Sequence, residues 1–206
     1  MGTVPSSALW TSGRFAVVDV EGNGRQPPDP VELAVVVIDG GAEPSARSWL
    51  LKPAQSISSR AVRIHGITNA EVAGAPRFEE IAPEVETAVK GRYFVAHNAS
   101  VDWGVVRQRL PDVRPLAVLD TLRLAWKVIP GQESYSLPKL IGALGLGAEL
   151  ATVEGGPHRA LYDAMAALAL LRYLANRCGE GPMGLSELVA LCQVAVGSGG
   201  EQQSLF

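Results

Sequence analysis

The spacing of apolar positions changes along the chain, and the changes divide it into elements. Phe15-Ala16-Val17-Val18-Asp19-Val20 is a β-branched run ending in charge, the pattern of a short buried strand. Gly22-Asn23-Gly24 stops it, and Gln26-Pro27-Pro28-Asp29-Pro30 cannot continue a regular element. Residues 32–39, with Leu-Ala-Val-Val-Val-Ile inside them, predict a second strand. Gly40-Gly41 then turns the chain into a third strand over 47–51, which Pro53 closes. Three consecutive strands with short connections predict an antiparallel meander.

Helical spacing takes over at Phe78, Ile81, Val85 and Val89, although Pro83 interrupts that run. Residues 93–96 and 116–119 read as strands, and 102–110, 121–128 and 137–144 as helices. The longest predicted helix, 160–177, is dense in Ala, Leu and Met; after a break at 179–184 comes one more, over 185–196. Gly197-Ser198-Gly199-Gly200 has the composition of a flexible linker. A meander followed by alternating helices and strands predicts an α/β fold, a mixed sheet flanked by helices in a single domain. The expected organisation is an arm (1–13), the main domain (14–178), a helix with linker (179–200) and a tail (201–206).

Composition narrows the class. With 206 residues and 47% hydrophobic content, the chain can bury a real core and is not a disordered protein. No apolar run approaches the roughly 20 residues of a membrane helix. The start, Met1-Gly2-Thr3-Val4-Pro5-Ser6, lacks a secretory pattern, so a cytoplasmic location is expected. Cys178 and Cys192 read as buried thiols in a reducing compartment. A formal net charge of −3 argues against a partner made of phosphates.

Three segments carry candidate chemistry. Asp19 and Glu21 are two apart on a strand, so both carboxylates point to one face. Such a pair suits a hard divalent cation, though a strand end can also simply be solvated. His97-Asn98-Ala99-Ser100-Val101-Asp102 places a carboxylate at a strand-to-helix turn, where Asp102 or Ser100 could equally cap the helix. His158 precedes the long helix, and Asp163 lies inside it among Leu161, Ala164, Met165 and Ala166. A carboxylate there needs a partner.

In this order, Asp-x-Glu, His-Asn-x-x-x-Asp and His-x-x-x-x-Asp resemble the three exonuclease motifs of the DEDDh branch of the DEDD (DnaQ-like) 3′–5′ exonucleases. Ile64-His65-Gly66-Ile67-Thr68 also looks like a loop of that family. Two positions depart from it. Gly22-Asn23-Gly24 stands where two threonines and a glycine are common, and Val101 where an aromatic residue is common.

The resemblance implies a ribonuclease H-like fold and two-metal phosphodiester hydrolysis with Mg²⁺ or Mn²⁺. It assigns the metal ions to Asp19, Glu21, Asp102 and Asp163, and the general base to His158. It turns Gly22, Asn23, His65, Gly66, Ile67, Thr68 and Asn98 toward the substrate's 3′-terminal nucleotide. The tail Gln202-Gln203-Ser204-Leu205-Phe206 resembles a bacterial clamp-binding motif, with Gln202, Leu205 and Phe206 as its anchors on the DNA sliding clamp. The implied substrate is a single-stranded or frayed DNA 3′ end, in proofreading or repair, with a DNA polymerase as a further partner. An exoribonuclease and a catalytically silent clamp-tethered module are the alternatives.

This reading changes what the charge means. Of the 21 acidic residues, Glu180, Glu187 and Glu201 lie beyond Arg177, so the rest of the chain balances 18 against 18. Setting aside the four carboxylates assigned to metal leaves that part with a basic surplus.

Overall fold

Alternation along the first strand assigns the two faces of the sheet. In the computed structural model, which describes residues 8–176 and 181–195, β1 (Arg14–Gly22) sends Phe15 and Val17 to one side and Ala16 and Val18 to the other. β2 (Pro30–Asp39) and β3 (Ser45–Leu50) follow as antiparallel neighbours. β4 (Tyr93–Ala96) and β5 (Val118–Asp120) add in parallel on the other side of β1, giving the order β3-β2-β1-β4-β5. The mixed sheet is the expected one.

Helices α1 (Ser59–His65), α2 (Phe78–Val89) and α3 (Ser100–Arg109) precede β5. α4 (Thr121–Val128), α5 (Leu137–Ala143), α6 (Ala160–Asn176) and α7 (Leu185–Cys192) follow it. Ile81, Val85, Trp103 and Val106 of α2 and α3 pack on the Ala16/Val18 face. Leu124, Leu140, Leu168, Leu171 and Leu188 of the later helices pack on the Phe15/Val17 face. α6 is apolar nearly all round because it lies between the sheet and neighbouring helices. α2 runs through Pro83, whose carbonyl accepts the Thr87 hydroxyl at 2.7 Å.

Four expectations are corrected. The loop expected over 64–68 begins inside a helix, α1. This seven-residue helix is held by its ends: Ser58 accepts the Ala61 N–H at 3.2 Å, and Gly66 closes it with φ 76°. The last helix stops at Cys192 rather than 196, because the chain turns extended to pair with β5, Val194 N–H donating to the Val118 carbonyl at 2.8 Å. β5 starts at Val118, leaving Leu116 exposed. Residues 8–13, expected in an arm, pack into the domain: Trp10 is buried against Phe15 and donates to Asn176 at 2.9 Å, and Leu9 bridges Gly184.

Cys192 is buried, and burial pushes its thiol up to about 12, as expected of a packed, inert cysteine. Cys178, the Gly/Ser linker and the tail residues Gln202, Leu205 and Phe206 lie outside the described residues. Among the described residues no helix is long and apolar enough to cross a membrane.

Candidate active site

β4 pairs with β1 only as far as Val17, so the end of β1 protrudes beyond its parallel neighbour. The gap lies where the strand order reverses, between β1 and β4, the place where α/β sheets open a crevice. Asp19 and Glu21 continue the Phe15/Val17 face, which packs on α6. From α6 comes Asp163, nearly buried in the first turn. α3 begins beside the gap, and its Asp102 accepts the Val20 N–H at 3.0 Å. The capping alternative therefore falls away: Ala99 is the N-cap of α3, and the Asp102 carboxylate is turned to β1.

His158 is exposed and adopts φ 67°, a left-handed conformation uncommon for a residue with a side chain. Its N–H donates to Asp163 Oδ2 at 3.0 Å. Glu21, His158 and Asp163 each bring a ligand atom within 4.8 Å of the other two. Three of the five residues expected at the centre thus form one compact group that could hold a metal ion, the histidine among them.

Electrostatics draws in the other two. Burial, then Asp102, Glu21 and Asp163, raises Asp19 well above the usual carboxylate range. Burial, Asp163 and Glu32 push Glu21 up to about 8. Burial pushes Asp102 up to about 8 as well, against the hydrogen bond from Val20. Asp163 is raised by burial, while the His158 N–H counters it. Carboxylates so placed do not all ionise together unless a cation joins them. An all-oxygen set with one imidazole fits a hard divalent ion.

The residues expected to face substrate divide. Asn23 is buried, its Oδ1 accepting the N–H groups of Arg25 and Asp29 at 3.1 Å each. His65 is buried too: Nδ1 accepts the Ile67 N–H at 3.0 Å and Nε2 lies 3.3 Å from the Gly22 carbonyl. Ile67 belongs to a small core with Val31, Ile57, Ala61 and Val72. These three side chains build the wall behind the site; they do not reach into it. Gly22 is partly exposed, and Gly66, Thr68 and Asn98 are exposed. Thr68 bonds Glu71, and Asn98 turns the chain with φ 65°.

Sequence reasoning missed Glu32, Arg159, Asp120 and the part played by His97. Glu32 sits buried opposite Glu21 and is held by Arg159. A lone carboxylate inside Val31-Glu32-Leu33 was the available signal, the same one that marked Asp163. Asp120 accepts the N–H groups of Asn98 and Leu122, both at 2.9 Å, and so joins the β4 turn to α4. His97 bridges Thr121 and the Tyr135 carbonyl, and burial lowers its pKa.

A mixed sheet carrying carboxylates from β1, α3 and α6 at one end defines a ribonuclease H-like domain of the exonuclease class. The chain belongs to the Exonuclease family (RNase_T), whose model matches residues 16–171. It is 37% identical over 161 residues to 3′-5′ exonuclease DinG of Bacillus subtilis, covering 73% of this chain and 16% of that protein. It is 33% identical over 158 residues to DNA polymerase III subunit epsilon of Aquifex aeolicus, covering 74% and 75%. Exodeoxyribonuclease 10 of Escherichia coli K12 is 35% identical over 164 residues, covering 79% and 69%. The solved structure of Exonuclease X in complex with 5′ overhanging duplex DNA superposes with a TM-score of 0.72 at 30% identity, covering 86% of this chain and 98% of that one. The chain spans only a small part of the DinG relative's length.

Proposed function

We propose that this chain is a divalent-metal-dependent 3′–5′ exonuclease that hydrolyses the terminal phosphodiester of DNA and releases nucleoside 5′-monophosphates. One observation carries the reading: the family's five motif residues, Asp19, Glu21, Asp102, His158 and Asp163, lie about the protruding end of β1, and burial and repulsion from neighbouring carboxylates raise all four carboxylates, so that a bound cation would favour their ionised forms.

Asp19, Glu21, Asp102 and Asp163 would hold two ions, Mg²⁺ or Mn²⁺. When bound, such ions lower the pKa of a water and neutralise charge on the phosphate and the leaving oxygen. His158, exposed beside Glu21 and Asp163, takes the proton of the attacking water. Its exposure gives that proton a path to solvent. Gly22, Gly66, Thr68 and Asn98 border the opening where the terminal nucleotide enters. Asn23, His65 and Ile67 support that border from behind.

Deoxyribonucleotide is preferred over RNA on the strength of the exodeoxyribonuclease and polymerase-subunit relatives. The Gln202/Leu205/Phe206 tail would tether the enzyme to a sliding clamp, compensating for a domain without strong basic excess; a polymerase is a further partner, and the bacterial cytoplasm the setting. The test is digestion of matched 3′-labelled DNA and RNA strands with and without Mg²⁺, wild type against Asp19→Asn. Mg²⁺-dependent shortening of DNA from the 3′ end, lost in the variant, is expected. Faster cleavage of RNA would transfer the assignment to an exoribonuclease, and cleavage surviving in Asp19→Asn would overturn the metal site. A chain truncated at 200 should lose binding to a bacterial sliding clamp in a pull-down and keep its basal cleavage.

A further inference from the structure

Glu32 is 4% exposed, although it belongs to a residue type seldom buried without a partner. Three hydrogen bonds reach it from one place. Oε2 accepts from Arg159 Nε at 3.0 Å and from the Ala160 N–H at 2.8 Å, and Oε1 accepts from Arg159 Nη2 at 2.7 Å. The central hairpin therefore grips the first turn of α6 through both backbone and side chain.

His158 is the residue just before this grip. The chain leading to it is Gly155-Gly156-Pro157, with φ 96° at Gly155 and 154° at Gly156, and His158 itself sits at φ 67°. A residue with a side chain holds that conformation only when its surroundings impose it. The glycines before it impose little. The His158 N–H bond to Asp163 fixes one end of the residue, and the Glu32–Arg159 fork fixes the next residue along.

We propose that Glu32 and Arg159 are positioning residues for His158: the two-bond fork between β2 and the residue that leads into α6 sets the direction of the imidazole against Glu21 and Asp163. This rests on the reading of His158 as the base. A purely structural ion pair is the competing account, and the packing argues against it. α6 is already docked by Ala164, Leu168, Leu171 and Leu174 on the sheet, all buried, so its attachment does not need the fork. Buried Glu32 needs a cation, but any cation would neutralise it; with its side chain 37% exposed, Arg159 adds to that neutralisation the fixed geometry of a planar fork.

The test uses the full chain, Mg²⁺ and 3′-labelled single-stranded DNA, at a temperature well below unfolding. Arg159→Lys keeps the charge and loses the planar fork. It should lower kcat at least tenfold, with KM and the midpoint of Mn²⁺-induced thermal stabilisation each within about threefold of wild type. Arg159→Met and Glu32→Gln should show the same split. Should either fail to fold, Arg159→Lys decides. Combined with His158→Ala, Arg159→Lys should cost nothing further, because the group it positions is gone. A wild-type kcat in Arg159→Lys, a loss shared by kcat and KM, or full additivity with His158→Ala would each overturn the proposal while leaving the exonuclease reading intact. A wild-type rate in His158→Ala would instead overturn the reading of His158, and this proposal with it.

Discussion

The two ends of the β1–β2 hairpin hold their charges in opposite ways. At one end Arg14 lies across from Asp39, and Arg92 joins them with Nη2 2.7 Å and Nε 2.9 Å from the carboxylate. These cations hold Asp39 below the usual carboxylate range. At the other end Glu21 lies across from Glu32, with Asp19, Asp102 and Asp163 around them and burial raising Asp19, Glu21, Asp102 and Asp163. Opposite charges facing across a ladder stabilise it, and like charges weaken it. The same hairpin thus follows that rule at one end and breaks it at the other, and the broken end is the one where the family's motifs converge. A local conflict retained against stability marks a site.

The strongest way to break this contrast is to remove a crowded carboxylate. Asp19→Asn or Asp163→Asn should abolish Mg²⁺-dependent cleavage and at the same time stabilise the metal-free protein by about 1–2 kcal/mol, the usual size of a gain at a strained site. Activity and melting temperature would move in opposite directions. A variant that lost both would show a carboxylate serving the fold. Next in size, His158→Ala should lower kcat by roughly 10²–10⁴-fold, the range of general base catalysis, with Mn²⁺ still raising the melting temperature. Loss of that stabilisation would make His158 chiefly a ligand.

The contrast also explains what could be read beforehand. Asp19, Glu21, Asp102, His158 and Asp163 stood out through the order and spacing of three motifs that resemble the family's, only Asp163 also breaking an apolar helix pattern, and the mixed sheet followed from long β-branched runs. Asn23, His65 and Ile67 were placed at the substrate by the resemblance of their segments to the family's, yet all three side chains are buried. The direction of a loop side chain depends on what packs behind it, here α1, a helix of seven residues set by its caps and too short to show a period. The Glu32–Arg159 fork joins residues 127 apart in sequence, and no local pattern announces such a pairing.

Titration sharpens the comparison at a smaller scale. Glu21 and Asp102 are pushed up to about 8 in the fold, far above the ~4 of an unfolded chain. A carboxylate raised by folding contributes its stability below the unfolded value and loses it as pH climbs through the folded one. The metal-free protein should therefore lose melting temperature between about pH 5 and pH 9. Saturating Mg²⁺ or Mn²⁺, binding the ionised carboxylates, should flatten that slope and stabilise most at the alkaline end. Thermal unfolding across pH with EDTA or with metal measures both. A metal-free curve that rises toward pH 9 would contradict the crowding.

The smallest effect belongs to the other end of the hairpin. Asp39→Asn removes the carboxylate shared by Arg14 and Arg92, yet the change should cost no more than about 1 kcal/mol, shrink further in high salt and leave cleavage within twofold. Exposure is one reason, since Asp39 and Arg14 are both largely in water. The second is that Arg92, the more buried cation, is not orphaned: its Nη1 donates to the Thr87 and Ala88 carbonyls at 3.1 and 3.2 Å, at the C-terminal end of α2. Those bonds complement the negative end of that helix and persist without Asp39. Arg92→Ala should consequently destabilise more than Asp39→Asn in chemical denaturation. The reverse order would mean that the ion pair, and not the helix end, is what Arg92 serves, and that this end too holds a charge under tension.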